Sequence, residues 1–133
     1  MAPTNTKRTT FECSTPILRV ADMPRSLRYY VDVLGFQNAA WGNEDFTLVQ
    51  RDRAGIYLCR GAQGHAGTWV WIGVEDVQPL YLEYQKSGAR FRHAPENFAW
   101  AYEMKVEDPD GHVLRFGSEP LSELPTAGRS EGT

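Results

Sequence analysis

The chain has 133 residues, of which 41% are hydrophobic and 23% charged, enough for one packed domain and too apolar for a disordered polymer. Its net charge of −3, from 14 Lys+Arg against 17 Asp+Glu, offers no strongly basic face and speaks against nucleic-acid binding. Two cysteines, Cys13 and Cys59, are too few for a disulfide framework, and the longest apolar run, 69–74, is far short of the roughly 20 residues that a membrane span needs.

The opening residues are polar and lack the apolar stretch of a signal peptide, so a cytoplasmic protein with no membrane partner is expected. Ile17-Leu18-Arg19-Val20 then reads as a short strand, and Asp22 as the N-cap of a helix with Pro24 in its first turn. Leu27, Tyr30, Val31 and Leu34 recur at helical spacing, and Gly35 stops the helix. Strands are expected near Phe36–Trp41 and Phe46–Gln50, and a third after a turn around Gly55, closed by Gly61.

After a Gly-rich linker, Ala62–Thr68, the same order returns. Trp71-Ile72-Gly73-Val74 leads to Asp76, a second N-cap, with Pro79 in the first turn. Val77, Leu80, Tyr81 and Tyr84 mark the buried face of the second helix, which Gly88 ends. Strands follow near Arg90–His93, Tyr102–Val106 and after Gly111. Each half is therefore β-α-β-β-β, and the chain is an α+β protein of two such modules, 13–61 and 69–118, in one domain over 1–118. Residues 119–133, rich in Pro, Gly, Ser, Thr and Glu, are expected to form a loose tail. Two half-covered sheets facing each other would enclose a cleft.

The segment DMPRSLRYYVDVLGF (22–36) and the closing EDPDGHVLRF (107–116) resemble the start and end motifs of the vicinal-oxygen-chelate superfamily of glyoxalases, bleomycin resistance proteins and dioxygenases. The Thr-Pro-Ile-Leu strand at 15–18, Asp45-Phe46, Trp69-Val70-Trp71-Ile72 and Trp100 ahead of Glu103 bring it closest to the bleomycin resistance proteins. The resemblance implies a metal held by one side chain from the first and one from the last strand of each module. Those positions fall on Thr15 and Trp69, seven residues before each capping Asp, and on Cys59 and Arg115, four after Gly55 and Gly111. Arg and Trp cannot ligate, and one thiolate beside one hydroxyl is a poor divalent site. Shifting register by one residue brings Pro16, Leu58, Val70 and Leu114, which do no better. No metal and no cofactor is the expectation.

By strand alternation Trp69 and Trp71 share one face. The resemblance adds Trp41, Phe46, Trp100 and Tyr102 to a ligand groove, with Cys59 and Arg115 from the repeat. Core packing is the competing explanation for each aromatic. Arg115 either binds a ligand acid or pairs with a cleft acid such as Glu103. His65, His93 and His112 do not cluster and read as surface residues, and Cys59 as a small core residue. The expected function is a non-catalytic, bleomycin-resistance-like protein that sequesters an aromatic antibiotic or similar small molecule in an inter-subunit cleft. The resemblance implies a homodimer in which the segment before Pro16 is exchanged between subunits. The competing functions are a metal-dependent glyoxalase, lyase or dioxygenase, a metal-free lyase using Glu103, and an accessory domain without a small ligand.

Overall fold

The computed structural model describes residues 8–122. Both helices start where a carboxylate can satisfy free backbone donors. Asp22 Oδ1 accepts from the Arg25 N–H at 3.0 Å, and Asp76 Oδ1 from the Gln78 N–H at 3.1 Å. The first module runs β1 (Ile17–Arg19), α1 (Met23–Leu27) continued by a π-helical stretch (Arg28–Val33), β2 (Gln37–Asn38), β3 (Phe46–Arg51) and β4 (Ala54–Cys59). The second runs β5 (Trp69–Gly73), α2 (Val77–Ser87), β6 (Arg90–Asn97), β7 (Tyr102–Glu107) and β8 (Val113–Ser118). Gly88 closes α2 at φ +94°, a left-handed conformation that favours glycine.

The π-helical stretch alters the first helix's face. Leu34 N–H bonds to Tyr29 O at 2.9 Å, a five-residue step, so the turn is wider than an α-turn. Tyr29 is thereby buried with Tyr30 and Leu34, while Val31, expected in the buried row, is only half-buried. The strand lengths differ too. β2 has two residues rather than the stretch expected to reach Trp41, and β6 extends to Asn97. Pro95 is accommodated because β6 is an edge strand with an irregular register between His93 and Glu96.

The two sheets have the same order, β1-β4-β3-β2 and β5-β8-β7-β6, each with one parallel pair and the rest antiparallel. In the parallel pairs Ile17 lies opposite Tyr57, and Trp71 opposite Arg115. The counterpart of Arg115 is therefore Tyr57, not Cys59. The cause is the turns. Gly55 already lies inside β4, opposite Gln50, whereas Gly111 sits in the longer β7–β8 turn at φ +82°. Counting from two non-equivalent glycines shifts the alignment by two, which preserves the strand face.

Leu18, Tyr30, Leu34, Leu58, Tyr84, Met104 and Leu114 belong to one core shared by both modules, on the helix side of each sheet. The β7–β8 turn ties the modules together. Tyr30 Oη donates to Asp108 Oδ2 at 2.9 Å, and Asp110 Oδ1 accepts from the Ala21 N–H at 3.0 Å. Burial pushes the Asp108 carboxyl above its usual range, against the lowering effect of His112 and of the hydrogen bonds it accepts. His112 departs from the expected surface position: it is fully buried. Its Nδ1 accepts from the Thr68 N–H at 2.9 Å, which leaves Nε2–H to donate to Arg19 O at 2.7 Å. Across the helices, Tyr84 Oη donates to Leu34 O at 2.7 Å, and Arg51 meets Glu83 at 2.8 and 3.0 Å.

Residues 119–122 of the segment expected to form a loose tail are described. Leu121 exchanges two 2.8 Å hydrogen bonds with Asn97, and residues 123–133 lie outside the described part. Residues 8–16 precede β1 without regular structure, with Phe11 92% exposed, and residues 1–7 of the segment expected to be exchanged lie outside the described part. Among the described residues no helix is long and apolar enough to cross a membrane.

Candidate functional site

Alternation along each strand divides its side chains between the helix side and an open side. On β5, Val70 and Ile72 pack into the core while Trp69 and Trp71 turn outward. All four tryptophans of the chain are about half-exposed: Trp41 59%, Trp69 47%, Trp71 50% and Trp100 47%.

On the first sheet Trp41 stacks on Phe46 at 6.4 Å between ring centroids, and Phe46 on Tyr57 at 5.1 Å. The stack joins the turn after β2 to β3 and β4. Tyr57 is a member that residue spacing does not single out; the parallel register with β1 is the signal that would find it. Thr15 lies over β4 at Gly55, its Cγ2 3.9 Å from where a Cβ on Gly55 would sit. Cys59 is buried at the end of β4 and its Sγ accepts from the Gly61 N–H at 3.3 Å, so the thiol serves the turn.

The open side of the second sheet combines rings with charge. Glu103, fully buried, accepts from Arg115 Nη2 at 3.0 Å and lies 3.6 Å from Lys105 Nζ. Of the two expectations for Arg115, the pairing with Glu103 is the arrangement present. Lys105 Nζ lies 3.1 Å from His93 Nε2. An ammonium can only donate, so Nε2 accepts and the Nδ1–H donates to Ala94 O at 2.7 Å. Aromatics flank this network. The Arg115 guanidinium lies 5.5 Å from the Trp71 ring, and Lys105 5.8 Å from Phe98, on which Trp100 stacks at 4.8 Å and 9°. Arg92 lies 5.4 Å from the Trp69 ring while bonding Glu107 at 2.6 Å.

Tyr102 stands apart from the other expected groove residues. Its ring packs in the core, its hydroxyl donates to Gln78 Oε1 on α2 at 2.8 Å, and burial raises its pKa. A groove of about 820 Å³ follows the β2 edge, lined by Gln37, Asn38, Leu48, Gln50 and Asp52, and contains none of the tryptophans. Its lining is mostly polar, and it meets the aromatic stack at Leu48, opposite Tyr57. Among the described residues no three His, Cys, Asp or Glu side chains gather as metal ligands. Thr15, Tyr57 or Cys59, Trp69 and Arg115 do not fit the divalent ion that the resemblance implies at these strand positions: none is a carboxylate or imidazole, and the one thiol is engaged by Gly61.

Tandem βαβββ modules with one face of each sheet left open define the vicinal-oxygen-chelate class. The chain belongs to the Glyoxalase/Bleomycin resistance protein/Dioxygenase superfamily, whose profile matches residues 14–116. Among solved structures it is similar to the bleomycin-binding protein of Streptomyces verticillus, complexed with copper(II)-bleomycin, at 27% identity and a TM-score of 0.70, over 84% of this chain and 98% of that one. The antibiotic binding protein TnmS3 from Streptomyces sp. CB03234 shares the fold at 18% identity and TM-score 0.72, over 86% and 100% of the two chains. TioX from Micromonospora sp. ML1 does so at 20% identity and TM-score 0.69, over 82% and 99%. No curated protein matches the chain.

Proposed function

We propose that the protein binds and sequesters a planar aromatic antibiotic or similar small molecule, without making or breaking a bond, in a cleft formed between two copies of the chain. The observation that carries this reading is the exposure of all four tryptophans on, or at the edge of, the open sheet faces. A single open face is only one wall and encloses nothing; two walls from two copies can enclose a drug-sized guest. The 27% identity to a bleomycin-binding protein over nearly its whole length supports the same reading.

Ligand stacking on any of these indoles changes its surroundings, so saturable fluorescence quenching is the expected signal in a panel of heteroaromatic antibiotics. Trp69→Ala and Trp100→Ala should each weaken binding by about tenfold or more, a usual loss for an anchor residue, with circular dichroism unchanged. Parent-like affinity in both variants would place the binding surface elsewhere. Assembly is a separate expectation: light scattering at tens of micromolar should return the mass of a dimer, with the segment before Pro16 crossing to the partner. The 92% exposure of Phe11 supports that crossing, because an apolar ring in solvent gains by docking on a second copy. A monomer mass would count against it.

The donor set supports no metal-assisted reaction. After dialysis, purified protein should hold well under one equivalent of zinc, nickel, manganese or iron. One equivalent by elemental analysis, removed by a chelator together with activity on a dicarbonyl or catechol, would overturn the non-catalytic reading.

A further inference from the structure

We propose that Gly117 is a positioning residue that lets the Trp71 indole lie down along the second sheet, making its face a platform for fused planar rings. This deepens the binding reading above and rests on it.

The parallel register of β5 and β8 sets Gly73 directly opposite Gly117, on the same side of the sheet as Trp71 and Arg115. A Cβ on Gly117 would lie 2.2 Å from Trp71 Cη2, 2.7 Å from Cζ2 and 2.9 Å from Cζ3, distances that no real Cβ tolerates. A Cβ on Gly73 would lie 3.8 Å from the indole Nε1, an ordinary contact that marks where the nitrogen lies. The indole therefore runs along the glycine pair, its nitrogen beside Gly73 and its six-membered ring in the space that a Gly117 side chain would fill. Arg115, held by Glu103, flanks the ring at 5.5 Å. Half of the residue's surface remains open.

Two glycines opposite each other inside a sheet weaken the strands, and such glycines mark a close approach. Here the approaching group is the indole itself. A ring standing off the sheet would present mainly edges, whereas a ring laid down presents its π-face, where offset stacking gains most. A bicyclic platform matches a flat two- or three-ring guest better than a branched aliphatic one. The Gly117 substitution should consequently act on binding only through Trp71.

The test combines a structural and a binding readout. In an amide correlation spectrum of labelled protein, the Trp71 indole N–H is assigned by its loss in Trp71→Phe. Gly117→Ala is expected to shift that peak and leave the other indole peaks in place. Acridine and phenazine-1-carboxylate, two planar tricycles of different charge, serve as probes. Gly117→Ala should weaken binding about tenfold, and should weaken it no further in a Trp71→Ala background. An unmoved indole peak, parent-like affinity, or a loss that persists in full without Trp71 would each overturn the proposal. Should Gly117→Ala not fold, nuclear Overhauser contacts between the Gly117 α-protons and the six-membered ring of Trp71 are read in the parent protein; their presence is the expected result, and their absence would overturn the proposal. If the parent binds neither probe, the binding reading fails for such ligands, while the indole peak still decides whether Gly117 positions the ring.

Discussion

Replacing His112 with alanine is expected to lower the unfolding free energy by about 3–4 kcal/mol, among the largest single losses the chain can show. The imidazole is fully buried and joins residues far apart in sequence, Thr68 and Arg19. Alanine leaves the part-buried Thr68 N–H and Arg19 C=O without their partner, each costing about 1 kcal/mol, and leaves a cavity the size of a ring. The two groups sit at the start of the second module and the end of β1, so the loss loosens the joint between modules. Denaturant unfolding should show a lower midpoint with an unchanged slope. A loss under about 1 kcal/mol would mean that the joint is held by the Asp108 and Asp110 bonds without the ring.

The second large effect is expected at Arg115. Methionine there keeps much of the side chain's length and removes the guanidinium, leaving the fully buried Glu103 carboxylate with Lys105 at 3.6 Å as its remaining cation in the network. Removing one partner of a buried pair costs about 3–5 kcal/mol where no other partner is near, and Lys105 should hold the loss to about 2–3 kcal/mol. Glu103→Gln on top of Arg115→Met removes the stranded charge, so the double variant should recover a large part of the loss. A double-mutant cycle measures this coupling, and simple addition of the two losses would show that the pair contributes nothing specific.

Glu103 also shows where local reading stops. Its strand position was legible, and Arg115 was already placed on the same wall, but whether the guanidinium faced a ligand or the acid depended on the β7–β8 register, which brings Glu103 beside Gly117 and Lys105 beside Arg115. Tyr102 illustrates the same dependence. Its distance from Trp100 gave no indication of its side, and the pairing with Ser118 and the bond to Gln78 put it toward α2. Tyr57 joined the aromatic stack only once β1 and β4 were aligned.

What the sequence by itself determined is what neighbours along the chain decide: the duplicated βαβββ order, the Asp22 and Asp76 caps, the glycine stops, and the common face of Trp69 and Trp71. These follow from hydrogen-bond reach within a turn and from the two-residue period of a strand. The chemistry available at the implied ligand positions was likewise legible, because a residue's donor atoms do not depend on its surroundings. Tertiary structure alone decided the burial of His112, the wider turn that buries Tyr29, the equivalence of Arg115 with Tyr57, and the resting place of the Trp71 ring over Gly117. Each depends on turn lengths and on groups tens of residues away. A residue's partners there are set by the whole packed core, which no local spacing encodes.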